Sequence, residues 1–166
     1  MRVFNVHLQS IHLGRKEIEY VKSLGDIAKA EDLQKQDHLK SSKSIIKKLR
    51  DAYIKRGNQA KTLREHIKEA SKKYPVIVCG DFNDTPTSFT YRTVSQGMKD
   101  AFLESKLGFG GTYPNLVPLF PFRIDYVLTT PDVDIHNFNI LYKDYSDHYP
   151  ISCSFSLKTA SNTVNP

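Results

Sequence analysis

Four short stretches carry side chains capable of acid–base or phosphate chemistry. They are Asn5-Val6-His7-Leu8, Gly80-Asp81-Phe82-Asn83-Asp84, Arg123-Ile124-Asp125-Tyr126-Val127-Leu128 and Ser146-Asp147-His148-Tyr149-Pro150. In the second, the apolar run Val76-Ile77-Val78-Cys79 suits a buried strand. Gly80 then permits a sharp turn in a backbone conformation that other residues resist. Alternation along an extended chain puts Asp81 and Asn83 on one side and Phe82 on the other. A carboxylate and a carboxamide that project together can orient a water and grip an oxyanion. The same residues also suit a plain Asx turn after a strand, because Asp and Asn are common turn residues.

The elements that must position these groups follow from the hydrophobic pattern. Val3–Gln9 reads as a strand with Phe4, Val6 and Leu8 on one face and Val3, Asn5, His7 and Gln9 on the other. Taken alone, His7 fits a half-buried structural histidine. Ser10–Lys40 is polar and irregular, with some helical periodicity at Ile18, Val21, Leu24 and Ile27. Ser41–Lys73 is the clearest helix, its apolar stripe running through Ile45, Leu49, Ala52/Tyr53, Ala60, Leu63, Ile67 and Ala70. Gly57-Asn58 is expected to bend or break it, and Pro75 keeps it from running into the next strand. Ser88–Gln96 reads as a short helix, and 108–113 as a glycine-rich loop without the lysine of a phosphate-binding P-loop. Arg123–Leu128, Asp132–Tyr142 and Ile151–Leu157 are strands. Asp125 points away from Ile124 and Tyr126, and an acid in an apolar strand calls for a partner.

At 166 residues the chain is about one domain long, with 39% hydrophobic and 25% charged residues. It has no apolar run long enough to cross a bilayer and no signal-peptide pattern, so no membrane contact is expected of it; its location is not legible. Cys79 and Cys153 show neither metal-site nor disulfide spacing and read as buried free thiols. The net charge of +6 is uneven: residues 1–74 hold 18 Lys+Arg against 9 Asp+Glu, and residues 75–166 hold 6 against 9. A basic first half is weak evidence for a polyanionic partner, since Lys-rich helices are usually solvated faces.

In this order and on these strands, NVHL, GDFND, RIDYVL and SDHYP resemble the endonuclease/exonuclease/phosphatase superfamily. That fold is shared by pancreatic-type deoxyribonucleases, abasic-site endonucleases, neutral sphingomyelinases and inositol polyphosphate phosphatases. The resemblance implies a divalent-metal-dependent phosphoesterase acting by in-line water attack. It implies that Asp81 orients and activates the water and that Asn83 holds a phosphate oxygen. His148 would contact the scissile phosphate, with Asp125 holding its imidazole, and His7 would line the phosphate pocket. Asp147 would lie near the metal, Mg²⁺ or Mn²⁺, either of which suits oxygen ligands with positions left open. The substrate would be a phosphate ester, with nucleic acid among the candidates.

The resemblance covers the C-terminal half of that fold. It implies an α/β (α+β) half of a four-layer sandwich, with one mixed, largely antiparallel sheet and helices on its outer face. Residues 1–158 would form this half-domain and 159–166 a frayed tail. The family's main metal-binding Glu is expected in the half that is missing, because none of Glu17, Glu19, Glu31, Glu65, Glu69 and Glu104 sits in a suitable strand. The chain alone would then bind metal weakly and be weakly active or inactive. A single sheet would leave an apolar face open, which predicts a homodimer packed sheet on sheet. The competing reading is a non-catalytic nucleic-acid-binding or interaction remnant of the fold. It is the weaker one, because the basic helix carries few of the aromatic residues that single-strand binders interleave with Lys and Arg.

Overall fold

The computed structural model describes residues 1–15, 17–20, 35–105, 110–114 and 122–158. Their elements are β1 (Arg2–His7), α1 (Lys35–Ser71), β2 (Val76–Asp81), α2 (Phe89–Ser95), β3 (Lys99–Asp100), α3 (Ala101–Glu104), β4 (Asp125–Thr129), β5 (Val133–Ile140) and β6 (Ile151–Leu157). Four strands form a mixed sheet in the order β1-β2-β4-β3, with β1 parallel to β2 and the other pairs antiparallel. This is the mixed α/β architecture that the sequence predicts, except that, among the described residues, β5 and β6 pair only with each other, as a separate antiparallel ribbon.

The central strands β2 and β4 are buried on both faces, which is why β2 reads as a continuous apolar run. Val76 and Val78 of β2 pack with Ala60, Leu63 and Ile67 of α1, with Val94 of α2, and with Tyr126 and Leu128 of β4. On the other face, Ile77 and Val127 pack with Phe138 of β5 and with Ala101 and Phe102 of α3. The ribbon therefore covers part of the face that the sequence leaves open. What remains near β1 is a groove lined by Val3, Cys79, Ile151, Cys153 and Phe155, in which Val3 and Phe155 are exposed. Both cysteines are free and half-buried rather than fully buried, and desolvation pushes both thiols up.

α1 begins earlier than its apolar stripe indicates and runs unbroken through Gly57. The cost of an internal glycine is only about 1 kcal/mol, and packing flanks it on both sides. Among the described residues of α1, Ala52, Arg56, Gly57, Ala60, Leu63 and Ile67 are buried. Before α1, the Glu17 carboxylate accepts from Gly14 N at 2.6 Å, Ser44 Oγ at 2.5 Å and Lys48 Nζ at 2.5 Å. These bonds, led by that of Lys48, lower its pKa from 4.5 to about 2. A depressed carboxylate stabilises the fold above its unfolded value, so this tie between residues 14–17 and α1 is lost as pH falls from 4.5 towards 2. The tail expected to fray at 159–166, Val21 to Ile27, Glu31, and Gly108 and Phe109 of the glycine-rich loop lie outside the described residues. Among the described residues, no helix is long and apolar enough to cross a membrane.

Gly80 does not make the expected turn. β2 passes through it to Asp81, pairing Gly80 with Val6 on one side and Tyr126 on the other. Its φ of 130° belongs to a region reserved for glycine, and an added Cβ would stand 2.0 Å from the Val6 carbonyl oxygen. The residue is needed for the close approach of β1, and the chain turns three residues later. Gly80→Ala is therefore expected to destabilise the protein by at least about 1–3 kcal/mol, from backbone strain alone. The loss should appear as a lower urea midpoint and faster amide exchange in β1. An unchanged midpoint would mean that β1 does not dock on β2 as described.

Candidate active site

The strand register puts three polar side chains in a row. β1 pairs His7 with Asp81, and β2 pairs Asp81 with Asp125. Because alternate residues share a face, His7, Asp81 and Asp125 project on the side of the sheet that holds Ile77 and Val127. The segment 141–150 then brings His148 over this row. Its Nδ1 lies 2.9 Å from Asp125 Oδ2 and its Nε2 lies 4.0 Å from Asp81 Oδ2. An ionised carboxylate can only accept, so this contact assigns the hydrogen to Nδ1 and leaves Nε2 facing Asp81. His7 Nε2 is 3.5 Å from the same Asp81 oxygen, with its side chain 73% exposed against 14% for Asp81. Asp125 is thus the partnered acid that its apolar strand requires, and His7 stands at the open edge of the site.

Both readings of Gly80–Asp84 hold at once. Asn83 N donates to Asp81 Oδ1 at 2.7 Å, which is an Asx turn, and Asn83 takes a left-handed φ of 51° to make it. The turn does not carry the Asn83 side chain away. Its Nδ2 donates to Asp81 Oδ2 at 2.9 Å and to Leu8 O at 3.0 Å. The extended alternation assumed for Asp81 and Asn83 stops at Asp81, and it is this turn that brings the two side chains together. Phe82 points the other way into the core, fully buried. Asn83 spends both amide hydrogens on fixing Asp81 and on binding β2 to the end of β1.

The loop is seated by charges that the sequence analysis missed. Arg56 is 1% exposed and donates from Nε to Asp84 Oδ2 at 3.1 Å and from Nη1 to Gln9 O at 2.9 Å. It occupies the helix position between Ala52 and Ala60, a gap in the apolar stripe that calls for a buried partner. Tyr126, fully buried, places its hydroxyl 2.8 Å from both Asp84 O and Arg123 O. Arg123 in turn makes two bonds from Nη1 to Asp100, at 3.0 and 2.7 Å, and lies over the rings of Phe102 and Tyr126. Removing one member of such a buried pair leaves an uncompensated charge and is strongly destabilising.

Burial raises the Asp81 pKa above 3.8; the Asn83 N–H bond opposes this, the Asp125 charge adds to it, and the His148 and His7 charges oppose it. A carboxyl moved towards neutrality is better suited to take a proton from water. Among the described residues, the group that could hold a metal ion is Asp81, Asp125 and His148, with ligand atoms within 4.8 Å of one another. Two carboxylates side by side fit a hard, oxygen-seeking divalent cation, which would relieve their mutual repulsion. Asp147 is exposed, accepts from Ser146 Oγ at 3.0 Å and is not in that group. No glutamate joins it among the described residues.

The family model of the Endonuclease/Exonuclease/phosphatase family matches residues 39–148, well over half of the chain. No curated protein matches it. Among solved structures, the chain is 28% identical to an endonuclease/exonuclease/phosphatase from Bacteroides vulgatus, with a TM-score of 0.54 over 61% of this chain and 44% of that one. It is 25% identical to a mannosyl-6-phosphatase of Bacteroides thetaiotaomicron, with a TM-score of 0.53 over 61% of this chain and 46% of that one. A protein of unknown function from Enterococcus faecalis, 19% identical, shares the fold at a TM-score of 0.53, over 63% of this chain and 45% of that one. The chain thus spans less than half the length of these proteins.

The electrostatics of Asp81 can be checked directly. A carboxyl-carbon NMR titration should place its midpoint above 3.8. His7→Gln should move it higher still, because the His7 charge favours the ionised carboxyl. A midpoint at or below 3.8, or a downward move on removing His7, would contradict the described environment.

Proposed function

The chain belongs to the endonuclease/exonuclease/phosphatase family, and from that premise we propose that it carries the hydrolytic site of a divalent-metal-dependent phosphoesterase. The observation that supports this best is the Asp125–His148–Asp81 arrangement at the strand ends. A phosphate ester entering beside His148 would meet Nε2 as a hydrogen-bond donor, while Nδ1 stays on Asp125. Asp81, held by Asn83 and raised in pKa, would take the proton of the attacking water. Asn83 would first orient Asp81; to grip a phosphate oxygen it would have to release one of its two present acceptors. His7 would add a donor at the mouth. A divalent cation held by Asp81 and Asp125, with Asp147 near it, would supply charge stabilisation for the phosphoryl oxygens. Mg²⁺ or Mn²⁺ suits these oxygen ligands.

With two carboxylates and no glutamate in the group, we expect weak cation binding and weak hydrolysis by this chain alone. The alternative, a non-catalytic nucleic-acid-binding or interaction remnant, would need the basic face of α1 and not the strand-end residues. On partners, we propose a homodimer closing the apolar groove at Val3, Ile151 and Phe155. A twofold axis would set this face against the same face of a second copy.

Three measurements test these proposals. With excess protein and Mg²⁺, slow release of p-nitrophenol from bis(p-nitrophenyl) phosphate is expected, abolished by chelation. Asp81→Ala and His148→Ala should each lower it by about 10²–10⁴-fold, to background. Unchanged release in either variant would remove the proposed roles, and vigorous turnover would refute the expected weakness. Sedimentation velocity at micromolar concentration should give a dimer that Phe155→Lys dissociates; a compact monomer overturns the homodimer.

A further inference from the structure

The Asp125–His148 pair joins two segments distant in sequence, and one residue outside the four motifs bonds to both. Thr112 is fully buried. Its Oγ1 accepts from Ile124 N and from Asp125 N, each at 3.1 Å. Its carbonyl oxygen accepts from Tyr149 N at 2.7 Å, one residue beyond His148. Its own N–H donates to Phe122 O at 2.9 Å, and Tyr113 and Phe122 form a bridge with bonds of 2.9 and 3.0 Å. The next ring, Tyr113, lies against the His148 imidazole with centroids 4.9 Å apart. Gly110 seats this segment tightly: an added Cβ would lie 2.8 Å from both Phe102 and Ile140 side-chain atoms.

We propose that Thr112 is a positioning residue for the candidate active site, setting the backbone of Asp125 and that of the His148 segment in one frame so that Nδ1 and the carboxylate meet. The inference rests on the functional reading above only for its effect on rate; its geometric content stands apart from it. The hydroxyl oxygen is the acceptor for two backbone N–H groups at the start of β4. Without it, those half-buried donors lose their acceptor, and the strand end must shift to find others. The carbonyl of the same residue sets the height of the 146–149 segment over the sheet, and the Tyr113 ring limits the rotation of the imidazole. Neither Thr112 nor Tyr113 supplies a charge. Their work is to fix the place where Asp125 holds His148, and sub-ångström placement of this kind governs rate more than affinity.

The test compares Thr112→Val, which keeps the shape and loses the acceptor, with Thr112→Ser, which keeps the acceptor. The first readout needs no activity: the imidazole Nδ1 proton of His148 in the full chain, observed by NMR. Thr112→Val should broaden or shift it out of its hydrogen-bonded position while the circular dichroism stays native, and Thr112→Ser should restore it. The second readout is hydrolysis of bis(p-nitrophenyl) phosphate with Mg²⁺, for which Thr112→Val should lower kcat by about tenfold or more with little change in KM. If Thr112→Val does not fold, Thr112→Cys, a much weaker acceptor, takes its place with the same expected direction. A His148 proton unmoved in the folded variant, or not restored by serine, overturns the proposal. A shifted proton in a chain without hydrolysis would uphold the positioning role and count against the phosphoesterase reading instead.

Discussion

The site depends on the antiparallel register that sets Asp81 opposite Asp125. Two carboxylates on neighbouring strands repel, and burial makes the repulsion worse. The register cannot slip to relieve them. A shift of one residue would turn Ile77, Val127 and Leu128 to the wrong faces and undo both cores. The apolar packing of β2 and β4 therefore holds the two acids together against their own preference. The surrounding groups answer that repulsion: His148 on Asp125, and His7 and Asn83 on Asp81.

A second layer keeps the strand ends from fraying under this load. Arg56 reaches from α1 to Asp84 and Gln9, binding the exits of β1 and β2 to the helix. Arg123, at the entrance to β4, is locked onto Asp100. Tyr126 lies between them, its hydroxyl within reach of both backbones. Burial, opposed by the Arg123 charge, keeps that phenol a donor far above its ordinary range. These are full or near-full burials of polar groups with satisfied partners, the condition under which buried charge specifies geometry. The helix bearing the basic face thus does two things, covering the sheet with its apolar stripe and anchoring the site through one arginine within that stripe.

Much of this was legible in the sequence because it depends on local rules. The apolar run of β2, the unpaired-looking Asp125 in its strand, the alternation of β1 and the short helix beginning at Ser88 are readable from period and residue type. What escaped depends on contacts far apart in the chain. Nothing adjacent in the sequence pairs Arg56 with Asp84, although its place between Ala52 and Ala60 is a usable signal. Thr112 is one threonine in a glycine-rich loop, and nothing local marks it as the acceptor for a strand twelve or more residues on. In the sequence Gly80 reads as a turn, because a positive φ is commonest there. Its real cause, the Val6 carbonyl of a parallel neighbour, is a tertiary fact. The β5–β6 ribbon carries a register irregularity of its own between Ile135 and Asn137, which no pattern in β5 announces.

The arrangement also bears on which cation such a site can use. His148 has one nitrogen committed to Asp125, so only Nε2 is free to act. With a hydrogen on it, Nε2 would donate to a phosphate oxygen, since Asp81 Oδ2 at 4.0 Å is beyond hydrogen-bond reach. Without one, it offers a lone pair to a cation lying between the carboxylates, and Asp125 then becomes the outer partner of a ligating histidine. The two uses exclude each other. A cation that prefers imidazole would consume the donor, whereas one that prefers oxygen leaves it in place. Under the proposed function, an oxygen-seeking ion and a donating His148 would support each other.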